Sequence, residues 1–359
     1  MSGRLCVPLS VLDLCPVPTG ESAGEALRRS VDLARHAERW GLRRYWVAEH
    51  HSMPGIASSA PAVLAGRIAS ATSAIRVGSG GVMLPNHAPL TVAEQFGTLE
   101  AMHPGRIDLG IGRAPGTDKV TARALRRTAD GLPPADFATQ VAELRGYFAD
   151  RAGADGPAGQ VRAIPAEGNE PAVWLLGSTG YSAELAGLLG LPFAFAYHFG
   201  AANARPALAL YRRTFTPSAR LAEPYCLISV SVLCAEDAAT AQFLHGSSRL
   251  SMLRLRAGRP STLPSPEEAA GRDYSAAEQT VIAEATGSDV VGDADTVTGL
   301  LGRLVASTGA DELMVTTSTF AHVDRLASYE LLAQAAQAAG PGEQRASAPL
   351  EALPAVVPE

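Results

Sequence analysis

Short apolar runs alternate with longer amphipathic stretches along the whole chain, and this rhythm limits the fold more than any single motif. Residues 5–12, 44–50, 75–84, 107–111, 173–176, 193–197, 227–233 and 313–317 read as strands. Helical stretches follow them. Residues 22–40 carry Leu27, Val31 and Ala34 at i, i+4, i+7 spacing and stop at Gly41. Residues 58–72, 90–102 (closed by His103-Pro104-Gly105), 133–148 and 322–338 read the same way. Parallel strands need a helical crossover between them, so eight such units predict a parallel sheet. Eight units close a (β/α)8 barrel, a TIM barrel, with its active site at the C-terminal rim of the strands. A doubly wound open sheet is the alternative; it needs a switch point between strands, and none is evident.

Composition bounds the rest. The chain has 359 residues, 47% of them apolar, enough for one large core. Residues 1–339 are expected to form a single barrel domain. Residues 340–359, with four prolines and little periodicity, are expected to form a disordered tail. Net charge is −6 and no basic run occurs, so a nucleic-acid partner is not expected. Cys6, Cys15, Cys226 and Cys234 form no CxxC pair, which argues against a disulfide framework and a zinc knuckle. No secretory signal and no apolar run of about 18 residues is present, so a soluble, cytoplasmic protein without a membrane partner is expected. Residues 249–274, rich in Arg, Pro, Ser and Gly, fall between the seventh and eighth strands and are expected to be a lid insertion at the rim.

Four places carry candidate chemistry. The second strand ends in Glu49-His50-His51. Neighbouring strand side chains point to opposite faces, so only one histidine of the pair can face a barrel interior. The third strand contains Ser79-Gly80-Gly81; glycines there mark a bulge or the close approach of a ligand, or else a tight barrel corner. Strand four runs into Gly110-Ile111-Gly112-Arg113, a poor dinucleotide fingerprint but a good way to expose Arg113 at the rim. Arginine suits phosphate through its planar fork; a surface salt bridge is the alternative. After strand five, Ser178-Thr179-Gly180-Tyr181-Ser182 opens a helix. Free N–H groups at a helix start attract anions, although Ser178 or Thr179 could simply cap the helix. His87 and His198 follow strands three and six and are candidate pocket residues. His36, His103, His245 and His322 look peripheral.

In this order, Trp46-Val47-Ala48-Glu49-His50-His51, the glycine-rich third strand through Leu84-Pro85, Pro104 to Arg113, and Gly177 to Ser182 resemble the bacterial luciferase-like flavin monooxygenases. The likeness is close over residues 5–200 and follows strand rhythm beyond. It is strongest to single-chain members of actinobacterial secondary metabolism, some of which tailor aromatic polyketides in antibiotic biosynthesis.

The resemblance implies roles. His50 matches the catalytic histidine near the flavin, with Glu49 holding or tuning it. Ser79, Gly80 and Gly81 match the bulge, often a non-proline cis peptide at Ser79-Gly80, that supports the flavin ring. Arg113, Ser178, Thr179, Gly180, Tyr181 and Ser182 match the phosphate site, and His51, His87 and His198 are expected in the substrate pocket. Luciferase carries a reactive cysteine just before the arginine; this chain has Gly112, so a thiol role is absent. Residues 249–274 match the family's mobile lid. The implied reaction uses reduced FMN from a separate NAD(P)H:flavin reductase, which with O2 gives a C4a-peroxyflavin that oxygenates a small organic substrate. A homodimer is implied, paired through the helices after strands two and three.

Three rivals remain at this point. A deazaflavin (F420) oxidoreductase uses the same fold and the same phosphate. A metal-dependent barrel hydrolase would need His50, His51, His87 and His198 to converge, which adjacent strand residues do not do. A flavin-binding protein without catalysis is the fourth reading.

Overall fold

The computed structural model describes residues 5–114, 116–125, 136–149 and 161–338. The expected tail 340–359 and the start of the helix expected at 133–148 lie outside the described residues.

Nine strands occur among these residues: β1 (Leu9–Asp13), β2 (Arg44–Val47), β3 (Arg76–Met83), β4 (Ile107–Gly112), β5 (Ala172–Gly177), β6 (Phe193–Ala196), β7 (Cys226–Cys234), β8 (Val290–Gly292) and β9 (Glu312–Thr316). All pair in parallel, in the order β6-β5-β4-β3-β2-β1-β9-β7, and β6 pairs with β7 to close the ring. Eight strands thus make a TIM barrel, and the open sheet is set aside. β8 is an addition; it pairs only with the end of β7, and its three residues are too short a run to stand out in the sequence.

The strands obey a two-residue period that sorts side chains into two cores. Tyr45, Val47, Val173, Leu175, Phe193, Phe195, Leu313 and Val315 face the surrounding helices. Leu12, Trp46, Trp174, Ala194, Leu227 and Met314 face inward. Burying each large side chain stabilises the fold by roughly 1.5–3 kcal/mol.

Below that inner layer the barrel floor is ionic. Arg44 is fully buried; its Nε and Nη2 donate to Glu312 at 2.7 and 3.0 Å, and its Nη1 donates to Asp108 at 2.8 Å. Asp108 also accepts from Trp46 Nε1 (2.9 Å) and Arg76 Nη2 (2.7 Å), while Glu312 accepts from Tyr225 (2.7 Å). Burial alone would raise the pKa of Asp108, but Arg76 and Arg44 hold it below the usual range. Both carboxylates have several donors, which is the condition under which a buried ion pair is tolerated. Gly78 is dictated by this floor: a Cβ there would stand 2.2 Å from the Asp108 carbonyl.

The helix expected at 22–40 is Ala23–Arg39, with a capping box between Ser22 and Glu25, and Gly41 beyond it takes φ +74°. Strand two stops at Val47, three residues short of its expected end, because its pairing partner β1 stops at Asp13. The segment expected as a lid insertion, residues 249–274, is partly helical. Residues 249–256 are the last two turns of the helix Ala238–Arg256, and Pro266–Ala270 is a further short helix. Between them, Leu263 is tied to the loop after β1: its N–H donates to Val17 (2.8 Å) and its carbonyl accepts from Thr19 (2.9 Å). No helix among the described residues is long and apolar enough to cross a membrane.

Candidate active site

A cavity of about 350 Å3 opens above the inner layer, at the C-terminal ends of the strands. Its base is apolar, made by Leu12, Trp46, Leu176, Leu227 and Met314. Gly80 and Gly112 keep space there; a Cβ on Gly80 would meet Leu12 Cδ1 at 2.7 Å. The non-proline cis peptide lies at Gly80–Gly81, one residue beyond the expected Ser79-Gly80. Ser79 itself is fully buried and away from the cavity, because its hydroxyl donates to the Gly110 carbonyl (2.9 Å) and accepts from the Gly110 N–H (3.1 Å). Gly81 is likewise not a cavity wall; a Cβ there would lie 2.6 Å from the Gly110 carbonyl.

The strand period continues past the end of β2 and separates the two histidines. Trp46, Ala48 and His50 line the cavity. Glu49 and His51 fall on the other side. Glu49 therefore makes no hydrogen bond to His50 among the described residues, though its charge is near enough to act on that ring, and His51 and His87 are not pocket walls. Both instead meet Glu49 Oε1 through Nε2, each at 2.9 Å, and the Met83 N–H donates to Oε2 at 3.1 Å. Glu49 is inaccessible to solvent. Burial pushes its pKa up, but the hydrogen bonds from His87, His51 and Met83 outweigh that and hold it below the usual carboxylate value. The carboxylate thus fastens the loop after β2 to the end of β3, and His50 is carried on that loop.

His50 has a buried Nδ1 with no hydrogen-bond partner. Burial lowers its pKa, only partly opposed by the nearby Glu49, so the ring is neutral at pH 7. His198 also lines the cavity, but its Nδ1 lies 3.2 Å from the Ser229 carbonyl and hydroxyl. Burial lowers its pKa too. His245, expected to be peripheral, is buried against Asp289 (2.9 Å), away from the cavity.

The other end of the cavity is built for an anion. The helix after β5 is Gly180–Leu188, with Thr179 at its N-cap but no side-chain cap hydrogen bond. Simple capping therefore does not use up these groups. Ser178, Thr179 and Ser182 line the cavity, while Gly180 and Tyr181 complete the first turn outside its walls. Arg113 lines it as well, and among the described residues no salt bridge to it is found. Its guanidinium lies over the Tyr181 ring, 4.4 Å from the centroid. A helix start, three hydroxyls and an uncommitted arginine fit a phosphate monoester, and the flat apolar base fits a ring system attached to it.

Sequence reading missed Leu12, Leu176, Ser229, Met314 and Phe199 as cavity walls. The two-residue period could have found the strand residues once the inward parity was known. Phe199, 69% exposed at the mouth, had no such signal. Among the described residues no group of three or more His, Cys, Asp or Glu is disposed to hold a metal ion. His51 and His87 meet Glu49, so they do not converge with His50 and His198, the two histidines that line the cavity.

Comparison with known proteins agrees with this geometry. The family model described as luciferase-like monooxygenase matches residues 7–312. The chain is 52% identical over 329 residues to the uncharacterized protein YvbT of Bacillus subtilis, covering 90% of this chain and 95% of that protein. It is 47% identical over 325 residues to a luciferase-like monooxygenase of Escherichia coli K12, covering 90% and 96%. Among solved structures, apo-MsnO8 superposes with a TM-score of 0.81 at 37% identity, covering 94% of this chain and 99% of that one.

Proposed function

Since the chain belongs to the luciferase-like monooxygenase family and is an oxidoreductase on a TIM barrel, we propose that it is the oxygenating component of a two-component system that uses reduced FMN and O2 on a small organic substrate. One observation carries this reading: a single cavity combines a neutral, unpartnered imidazole with an uncommitted phosphate-binding set and an apolar base between them.

In this reading, bound reduced FMN supplies the electrons that activate O2. The chain's own residues do the rest. Arg113, Ser178, Thr179 and Ser182 hold the phosphate, with the N–H groups of Gly180 and Tyr181 behind them. Leu12, Trp46, Leu176 and Met314 exclude water from the ring's environment. His50 takes or returns a proton at Nδ1. Glu49 does not touch the reacting atoms; it is a positioning residue that fixes the loop carrying His50. A separate NAD(P)H:flavin reductase delivers the reduced flavin. The working unit is a homodimer paired through the helices Pro61–Ala69 and Pro89–Met102, a reading supported by the outward Val63 and Met102, 75% and 63% exposed.

The test is anaerobic addition of photoreduced FMN, then rapid mixing with O2. Reoxidation slower than that of free flavin is expected; a rate equal to free flavin overturns the oxygenase reading. Parallel titration with FMN and F420 separates the two cofactors.

A further inference from the structure

A second cavity, of about 220 Å3, adjoins the first on its outer side and shares Leu14, His50 and Phe199 with it. One wall is the loop after β2, through Met53 and Ile56. Another is the helix Ala238–Arg256, through Ser251, Met252 and Leu255. Residues 260–263 close a third side, and they are fixed rather than loose. Leu263 is bonded to Val17 and Thr19, and Gly55 approaches so closely that a Cβ there would lie 2.5 Å from the Ser261 carbonyl.

The walls of this outer chamber include no Asp, Glu, Lys or Arg among the described residues. Its one ionisable group is His50, which burial keeps neutral at pH 7. The hydroxyls of Ser248 and Ser261 are already donated to the carbonyls of Ser318 and Thr262, each at 2.9 Å. The hydroxyls of Ser251 and Ser318 make no hydrogen bond among the described residues, so they are available to a hydrogen-bonding group of a ligand. The inner cavity holds the cation, Arg113; the outer chamber's walls have none, and Arg254, whose Nη1 lies 3.5 Å from the Ser261 hydroxyl, is paired with Glu268. A charge moved into such a chamber loses its water and gains no partner, which is costly. Met53 and Met252 give walls that adapt to shape without adding charge. The volume is below the roughly 300–1,000 Å3 of sites that enclose drug-sized ligands.

We propose that the outer chamber is the substrate site and that it takes a small, uncharged, mainly apolar molecule with one hydrogen-bonding group, excluding carboxylates and alkylammonium ions. This rests on the inner cavity being the flavin site, because His50 is the group through which the two chambers meet. It also sets aside large multi-ring polyketides, which the sequence resemblance brought into view.

The experiment uses octanamide, octanoate and octylammonium, which match in size and differ in charge. Calorimetric titration of the full chain at pH 7.5 is expected to give octanamide binding at least about tenfold tighter than either ion. Met252→Trp, which fills the chamber, should abolish octanamide binding. Ser251→Arg should shift the preference toward octanoate. FMN affinity, measured on the same samples, should stay unchanged in both variants and reports that each is folded. Equal binding of octanamide and octanoate overturns the proposal, as does octanamide binding untouched by Met252→Trp, or no octanamide binding by a protein that binds FMN. Failure to bind FMN while octanamide discrimination persists would instead overturn the flavin reading and leave the neutral chamber standing.

Discussion

The guanidinium of Arg113, just past the end of β4, stacks on the ring of Tyr181 in the first turn of the helix after β5, 4.4 Å from its centroid. The two residues belong to adjacent strand–helix units, and the stack aims a charge with no ion-pair partner among the described residues across the helix start. Arg113→Ala should weaken FMN binding about 10–100-fold, the loss expected for a hydrogen-bonded charge on phosphate. Tyr181→Ala should cost only about two- to fivefold, since it removes the support and not the charge. Flavin fluorescence titration measures both. An Arg113→Ala variant with unchanged affinity would remove the phosphate assignment.

His50→Ala should bind FMN as the parent does but lose control of the reaction with O2 by about 100-fold, within the usual range for a general acid or base. Stopped-flow reoxidation reads this directly. Stability offers a second test. The pKa of His50 lies below its ordinary 6.5, so between the two values the unfolded chain holds the proton more readily. The folded state is therefore penalised as pH falls below 6.5, and not above it. His50→Ala should melt with a shallower decline than the parent from pH 6.5 downward.

Glu49→Gln should lower turnover while leaving FMN affinity within about threefold, because the carboxylate positions His50 and touches no ligand. Its pKa is held below the ordinary 4.5, so its contribution to stability is complete above pH 4.5 and is lost as pH falls through the folded value. Thermal melts between pH 6 and pH 3.5 should show a flatter acid limb in the variant. An identical limb would mean that the Glu49 hydrogen bonds do not hold in solution.

Arg44→Met should destabilise the barrel by about 3–5 kcal/mol, because Glu312 would keep a buried charge without its main partner and Asp108 would lose one of its two arginines. Urea unfolding measures it. A cost below 1 kcal/mol would show that the floor carboxylates find protons or water easily.

Much of the barrel was legible because β/α alternation is a local signal. Periods of two and 3.6 are written in consecutive residues, and Gly41 and the Ser22–Glu25 capping box mark a boundary within a few positions. The less legible parts are short or contingent on partners. β8 is three residues, and its strand character comes from pairing with the end of β7. The segment 249–274 reads as irregular from composition, yet residues 249–256 and 266–270 are helical, and the loop between them is held by hydrogen bonds of Leu263 with Val17 and Thr19, more than 240 residues away in sequence.

The candidate site divides the same way. Local pattern is enough to say which residue types reach the rim: an acid and two histidines after β2, glycines in β3, an arginine after β4 and hydroxyls after β5. What each one meets depends on contacts made across the barrel. Parity along β2 sends His50 into the cavity and leaves His51 and Glu49 behind it, but the inward parity is set by pairing with β1 and β3, not by the strand alone. Glu49 became a fastening for His51 and His87, and not a partner of His50, because β3 brings Met83 and His87 to its other side. A period can be read from neighbours in the chain; a partner depends on which distant segments share the space, and closure of the barrel fixes that.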